Sequence, residues 1–360
     1  MVKLTAQVKL LPTPEQAQAL RETIERTNAL CEWLGLWGWE HQTFRQFSIH
    51  RACYHEARRL FDLTAQVVVR AEAKVSDAYK LDHRTRRRFA AHGAIAYDSR
   101  ILRWKLAVSA VSIWTVAGRQ TIPFVCGERQ RVLLQHQQGE SDLALLNGEW
   151  FLFGTCNVDE PAPGDVCEFL GVDLGIINIA ADSDGTIYSG AVVNGLRHRH
   201  RRLRQTLQAK GTNSAWRLLK KRRRKESRFG KDVNHCISKK IVATAERTKR
   251  GIALEDLKGI RTRIRARKPQ RATLSSWSFA QLGGFVQYKA ALAGVPVAYI
   301  DRTNTSYTCP TCGCIDKRNR PSQAIFSCIE CGFSGPADTI AAENIRRAAV
   351  NQPHTVGLTA

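Results

Sequence analysis

The sequence predicts a multidomain α/β protein. Three observations carry this reading. The chain has 360 residues, enough for two or three domains. Glu160-Pro-Ala-Pro-Gly-Asp165 is a linker that divides it, with strand-like and helix-like patterns on both sides. Two Cys-x-x-Cys pairs near the end form a compact module of their own.

Residues 2–11 alternate as a strand. Thr13-Pro14-Glu15-Gln16 then opens a helix, with Thr13 as N-cap, Pro14 at the first helical position and Gln16 closing a capping box. Ala17, Leu20, Ile24 and Leu30 form its apolar face. Residues 45–100 read as helical and basic, with Arg84-Thr85-Arg86-Arg87-Arg88 exposed. From Ile101 the pattern is β, with short strands expected at 121–126, 131–135 and 142–146. Asn147-Gly148 turns the last of these into Glu149–Val158, a hairpin signal.

Beyond the linker, Glu168–Leu174 is an apolar strand ending in Asp173, followed by strands at 177–181 and 186–189. Residues 197–250 read as helical and hold 20 Lys or Arg against three acids, a net +17. Gly251–Leu254 is a second buried strand, ending in Glu255-Asp256. A basic loop at 261–271, a helix at 276–293, a strand at 295–300, the cysteine module at 309–331 and a helix at 338–350 complete the order.

The net charge of +23 is the strongest compositional signal. So large an excess opposes compaction, and a polyanionic partner accounts for it. Nucleic acid and an anionic membrane surface are the candidates; insertion into a membrane is not expected, since no run approaches the ~18 apolar residues of a spanning helix. Met1–Pro12 carries Lys3 and Lys9 and lacks the apolar core of a secretion signal. The 11 cysteines, an odd number, suit a reducing compartment. A cytoplasmic protein is expected. Within the basic segment, Lys221-Arg222-Arg223-Arg224-Lys225 is too dense for a solvated helix face and is expected to contact phosphates.

Cys309-x2-Cys312 and Cys328-x2-Cys331, separated by 15 residues, have the spacing of a four-thiolate site for Zn²⁺. Gly313 and Gly332 permit the tight turns that aim two thiolates at one ion. Cys314 is an alternative ligand by type but lies outside the pairs. A site with four ligands has no open position, so the zinc is structural.

Asp173 and Glu255 end apolar strands, where a carboxylate needs a partner or a metal. Asp256 points to the opposite face. Asp338 opens the last helix and alone would read as an N-cap. Together, Asp173, Glu255 and Asp338 can form an oxygen site for Mg²⁺ or Mn²⁺ suited to phosphodiester hydrolysis by two ions.

These motifs resemble, in order, a known family. Gly171-Val-Asp-Leu-Gly175 with Asp184-Gly185, Ile252-Ala-Leu-Glu-Asp-Leu257 and Asp338-Thr-Ile-Ala-Ala-Glu-Asn-Ile345 resemble the three motifs of an RNase H-like RuvC nuclease. Cys309–Gly332 resembles the zinc ribbon inserted before the third. The set is similar to TnpB, the OrfB-type family of insertion sequences related to type V CRISPR effectors. Val8–Gln16, Ser276-Trp277, Phe279, Tyr288-Lys289-Ala290 and Thr305-Ser306 extend the likeness over nearly the whole chain. Ile340 departs from it, standing where the family has Asn.

The resemblance implies a wedge-like β-barrel over 1–165 with a helical recognition insertion at about 13–100. It implies a RuvC nuclease over 166–308, a zinc ribbon over 309–332, and the last RuvC motif and tail over 333–360. It further implies guide RNA and target DNA as partners, with Asp173, Glu255 and Asp338 catalytic. The expected activity is RNA-guided, transposon-associated DNA cleavage. The alternatives are a guided DNA-binding repressor and a DNA transposase.

Overall fold

The computed structural model describes residues 1–257, 279–301 and 303–351. The chain divides into two compact units, Met1–Asp159 and Glu160–Ala360.

In the first unit, seven antiparallel strands form one sheet. They are β1 (Val2–Leu10), β2 (Ile95–Tyr97), β3 (Leu102–Lys105), β4 (Ala110–Thr115), β5 (Gly118–Val125), β6 (Gln137–Leu146) and β7 (Glu149–Val158). Their order is β2-β6-β7-β1-β5-β4-β3. The sheet is nearly closed, and Tyr97 on the edge strand β2 donates its hydroxyl to the Trp114 carbonyl on β4 at 3.1 Å. The β6–β7 hairpin turns at Asn147 and Gly148, both with positive φ, as this dipeptide favours.

Three helices, α1 (Pro14–Glu40), α2 (Gln46–Phe61) and α3 (Ala65–Leu81), lie between β1 and β2 in sequence. The Thr13–Gln16 capping box forms in both directions. Leu20, Ile24, Leu30 and Leu34 of α1 enter the same core as Val8 and Ile122 of the sheet.

Two local expectations fail here. Helix does not run through 45–100: α2 stops at Asp62 with φ +47, α3 ends at Leu81, and the arginine run lies in irregular chain. Nor is that run simply exposed, since Arg86 pairs with Glu32 at 2.9 Å and Arg87 with Asp82 at 3.0 Å. Residues 131–135 are not a strand but fall in and just after helix α4 (Glu128–Leu134). Periodicity cannot separate the two in so short an apolar run. Leu134 alone of α4 is buried, where Gly154 leaves room for it.

The second unit is built on a five-stranded sheet, order β10-β9-β8-β11-β12. Its strands are β8 (Phe169–Asp173), β9 (Asn178–Asp182), β10 (Ile187–Ser189), β11 (Gly251–Glu255) and β12 (Val297–Ile300). β8, β11 and β12 are parallel, and β9 and β10 are antiparallel additions. Between β10 and β11 run helices α5 (Ala191–Lys210) and α6 (Asn213–Arg247). The expected basic helical segment comprises these two helices, separated where Gly211 takes φ +61 and Thr212 caps α6. Helix α7 (Phe279–Leu292) occupies part of the expected 276–293 helix, whose first three residues lie outside the described chain, as does the expected basic loop at 261–271. Two short strands, β13 (Ile325–Ser327) and β14 (Ser334–Pro336), and helix α8 (Ala337–Asn351) follow.

Strand alternation sorts this unit into layers. Leu170, Val172, Ile252 and Leu254 pack against Ile241 of α6 and Val286 of α7. Phe169, Ala253 and Ile300 face Ile345 and Ala349 of α8. Among the described residues no helix is long and apolar enough to cross a membrane.

Candidate active site

The layering explains how three carboxylates distant in sequence come to one side of the sheet. Asp173 and Glu255 end the neighbouring parallel strands β8 and β11, whose register pairs Val172 with Leu254. By alternation both share the face of Phe169 and Ala253, which α8 covers. Asp338 stands in the first turn of α8.

Gly171 lets that helix come close. A Cβ there would lie 2.0 Å from the Ala342 carbonyl oxygen and 2.7 Å from the Arg346 amide nitrogen. Every other residue type would push α8 off the sheet and carry Asp338 with it.

Each carboxylate has its own supports. Asp338 accepts from Asn178 Nδ2 on β9 at 2.8 Å and pairs with Arg320 Nη2 at 3.2 Å. Glu255 accepts from the hydroxyl of Thr305. Asn344 on α8 donates to the carbonyls of Thr305 and Thr308, both at 2.8 Å, which fixes that loop against the helix. Asp173 is pushed up to about 7 by burial, then by the charges of Glu255 and Asp338, with Arg320 opposing them. A cation among the three would relieve this repulsion, and carboxylates are the hard oxygen donors that Mg²⁺ and Mn²⁺ take.

The cysteines form the tighter cluster. Sγ of Cys309, Cys312, Cys328 and Cys331 all lie within 4.8 Å of one another. Cys309–Cys331 is 3.6 Å and Cys312–Cys328 3.5 Å. Thiolates on a tetrahedral zinc with ~2.3 Å bonds stand about 3.8 Å apart, so this set fits zinc. Gly313 (φ +77) and Gly332 (φ +73) donate back to the carbonyls of Cys309 and Cys328, making the two turns equivalent. The backbone N–H of Cys331, then that of Glu330, holds the Cys328 thiol below its ordinary range, toward the thiolate a metal requires. Cys314 stands outside the tetrad, its carbonyl accepting from the Cys309 N–H.

Three residues that the sequence did not flag organise both groups. Asn319, fully buried, donates to the carbonyls of Tyr307 and Cys314 and accepts from the Ile329 N–H, tying the turns together. Arg320, next in the chain, reaches Asp338, and Asn178 supports it from the sheet. Ile340, the departure from the family pattern, is buried with Phe326, Cys309 and Cys328, so it packs α8 against the cysteine module.

The basic cluster lies elsewhere. Lys221, Arg222 and Lys225 are exposed on α6 and Arg223 and Arg224 belong to the same helix, away from the carboxylates in sequence and in element.

The fold is a mixed α/β multidomain one of the Cas12f type. It superposes with TM-score 0.62 on the Cas12f1 chain of a Cas12f1-sgRNA-target DNA complex, at 15% identity, covering 93% of this chain and 83% of that one. The mini-RNA-guided endonuclease CRISPR-Cas_phi3 gives TM-score 0.60 at 10% identity, covering 98% and 93%. Residues 279–345 match the Cas12f1-like, TNB domain family.

The chain's homologues include a TnpB-like protein and Cas12f1 nucleases. The TnpB-like protein MJ0751 of Methanocaldococcus jannaschii is 32% identical over 146 residues, 39% of this chain and 52% of that protein. The CRISPR-associated endodeoxyribonuclease Cas12f1 of Sulfoacidibacillus thermotolerans is 33% identical over 198 residues, 50% and 46%. The match thus spans about half the length of each of these relatives.

Proposed function

We propose that this protein is an RNA-guided, metal-dependent DNA endonuclease of the TnpB type. The observation that carries the proposal is the placement of Asp173 and Glu255 at the ends of β8 and β11 and of Asp338 in the first turn of the helix that covers them, in a chain whose homologues include proteins named CRISPR-associated endodeoxyribonucleases. On this reading 1–165 is the wedge with its helical insertion, 166–308 and 333–360 form the RuvC nuclease, and 309–332 is the zinc ribbon. Guide RNA and target DNA are the partners, and the +23 charge suits both. The nucleic-acid contacts include Lys221, Arg222, Arg223, Arg224 and Lys225.

Mg²⁺ or Mn²⁺ held by Asp173, Glu255 and Asp338 would supply an activated water and neutralise charge on the leaving oxygen. The chain's own part is to fix the donors. Asn178 and Arg320 engage the two oxygens of Asp338, and Thr305 orients Glu255. Burial makes Asp173 reluctant to ionise without a cation. Zinc in the cysteine tetrad would hold the 309–331 loop folded.

The test is to express the protein from its own locus and sequence the RNA that co-purifies. That RNA is expected to map beside the gene, as transposon association requires, and to direct Mg²⁺-dependent cutting of matching DNA. Asp173→Ala is expected to abolish cutting and preserve guided binding. A fully active Asp173→Ala protein sinks the assignment.

A further inference from the structure

The carboxylate trio already faces a cation of the chain itself. Arg320 Nη2 lies 3.2 Å from Asp338 Oδ1, and the same nitrogen donates to the Gln323 carbonyl at 3.0 Å. Both charged side chains are 20% exposed, so the pair is largely shielded.

Arg320 is placed by the cysteine module. It ends the single turn Lys317–Asn319, and the buried Asn319 before it is held by Tyr307, Cys314 and Ile329. The guanidinium therefore has a fixed base and comes to the site from outside the five-stranded sheet.

A divalent ion on Asp338 would compete with the guanidinium for carboxylate oxygen and be repelled by its charge. We infer that Arg320 is a positioning residue that serves as the resting counter-ion of the trio and sets its divalent-ion affinity. The inference rests on the metal-site reading of Asp173, Glu255 and Asp338. It makes the cysteine module a modulator of the carboxylates: a module without zinc loses its hold on Arg320, and the trio loses its counter-ion.

The experiment is a Mn²⁺ titration of the zinc-loaded full chain without nucleic acid, with free Mn²⁺ read by electron paramagnetic resonance and Asp338→Asn as the blank. Arg320→Gln is expected to tighten Mn²⁺ binding about tenfold, the lower end of what a neighbouring arginine does to proton affinity at an aspartate. Arg320→Ala is expected to do the same, so a folding defect in one variant cannot stand in for the result. Arg320→Lys keeps the charge and is expected to bind within about twofold of wild type, though without the fork geometry of arginine. Unchanged or weaker affinity in both neutral variants, with the ion still lost in Asp338→Asn, overturns the counter-ion role and leaves the metal site standing. Mn²⁺ binding that Asp338→Asn does not reduce overturns the metal site and the inference with it.

Discussion

Removing one charge from the carboxylate trio should make the ion-free protein more stable. Asp173 is the position to change, because burial and the charges of Glu255 and Asp338 push it from 3.8 to about 7. A rise of that size corresponds to about 4 kcal/mol of penalty on the ionised form. Solvent reaches part of the side chain, which brings the figure to about 2 kcal/mol. The sign follows from linkage. A carboxyl raised in the folded state binds its proton more tightly there than in the unfolded chain, so stability falls as pH rises from about 4 to about 7. The penalty is fully present above about pH 7 and gone below about pH 4. Asp173→Asn removes it. Calorimetry of the zinc-loaded protein in magnesium-free buffer at pH 8 should show the midpoint of the second unit raised by about 4–8 °C, at 2–4 °C per kcal/mol for a unit of this size. The gain should shrink steadily between pH 7 and pH 4. Added Mg²⁺ should then stabilise the wild type and not the variant. A variant that melts at or below the wild-type midpoint at pH 8 would refute the reasoning, as would a gain that grows toward acid pH.

Three further outcomes are expected. Gly171→Ala places a methyl against the Ala342 carbonyl, so it should cost about 3 kcal/mol or more and abolish cleavage by moving Asp338; circular dichroism melts and a cleavage assay check this. The purified protein should contain about one zinc per chain by metal analysis, and Cys328→Ser should lower both zinc content and melting temperature. Changing Lys221, Arg222, Arg223 and Arg224 together to Ala should flatten the log–log salt dependence of nucleic-acid binding by about 3, whatever the sequence bound. Coincident salt plots for wild type and quadruple variant would show that those charges touch no phosphate.

The carboxylates were readable because a charged residue at the end of an apolar strand breaks its surroundings sharply. Val172 and Leu254, buried on their strands, make Asp173 and Glu255 conspicuous. The cysteines were readable from spacing alone. Asn178, Asn319 and Arg320 carry no such signal: they are ordinary polar residues at a strand end or in irregular chain. Their meaning comes from partners as far away as the 160 residues between Asn178 and Asp338. The α4 error has a similar cause. Val132-Leu133-Leu134 suits a strand or a helix, and the space left by Gly154, on another strand, decides between them. The arginine run at 84–88 reads as exposed because Glu32, which pairs with Arg86, lies 54 residues earlier.

The spacing of the trio along the chain has a consequence for biosynthesis. Asp173 on β8 and Asp338 on α8 are 165 positions apart, and Glu255 lies midway. At roughly 5–20 residues per second, about 8–30 s separates translation of the first carboxylate from the last. Throughout that interval β8 waits with its α8-facing side uncovered, and the nascent chain carries no complete constellation. The proposed nuclease site is therefore completed last, when the sheet, both basic helices and the cysteine loop have already left the peptidyl-transferase centre. A chain that ends before residue 338 lacks the third carboxylate and, on the proposed reading, cannot complete the site that would cut DNA.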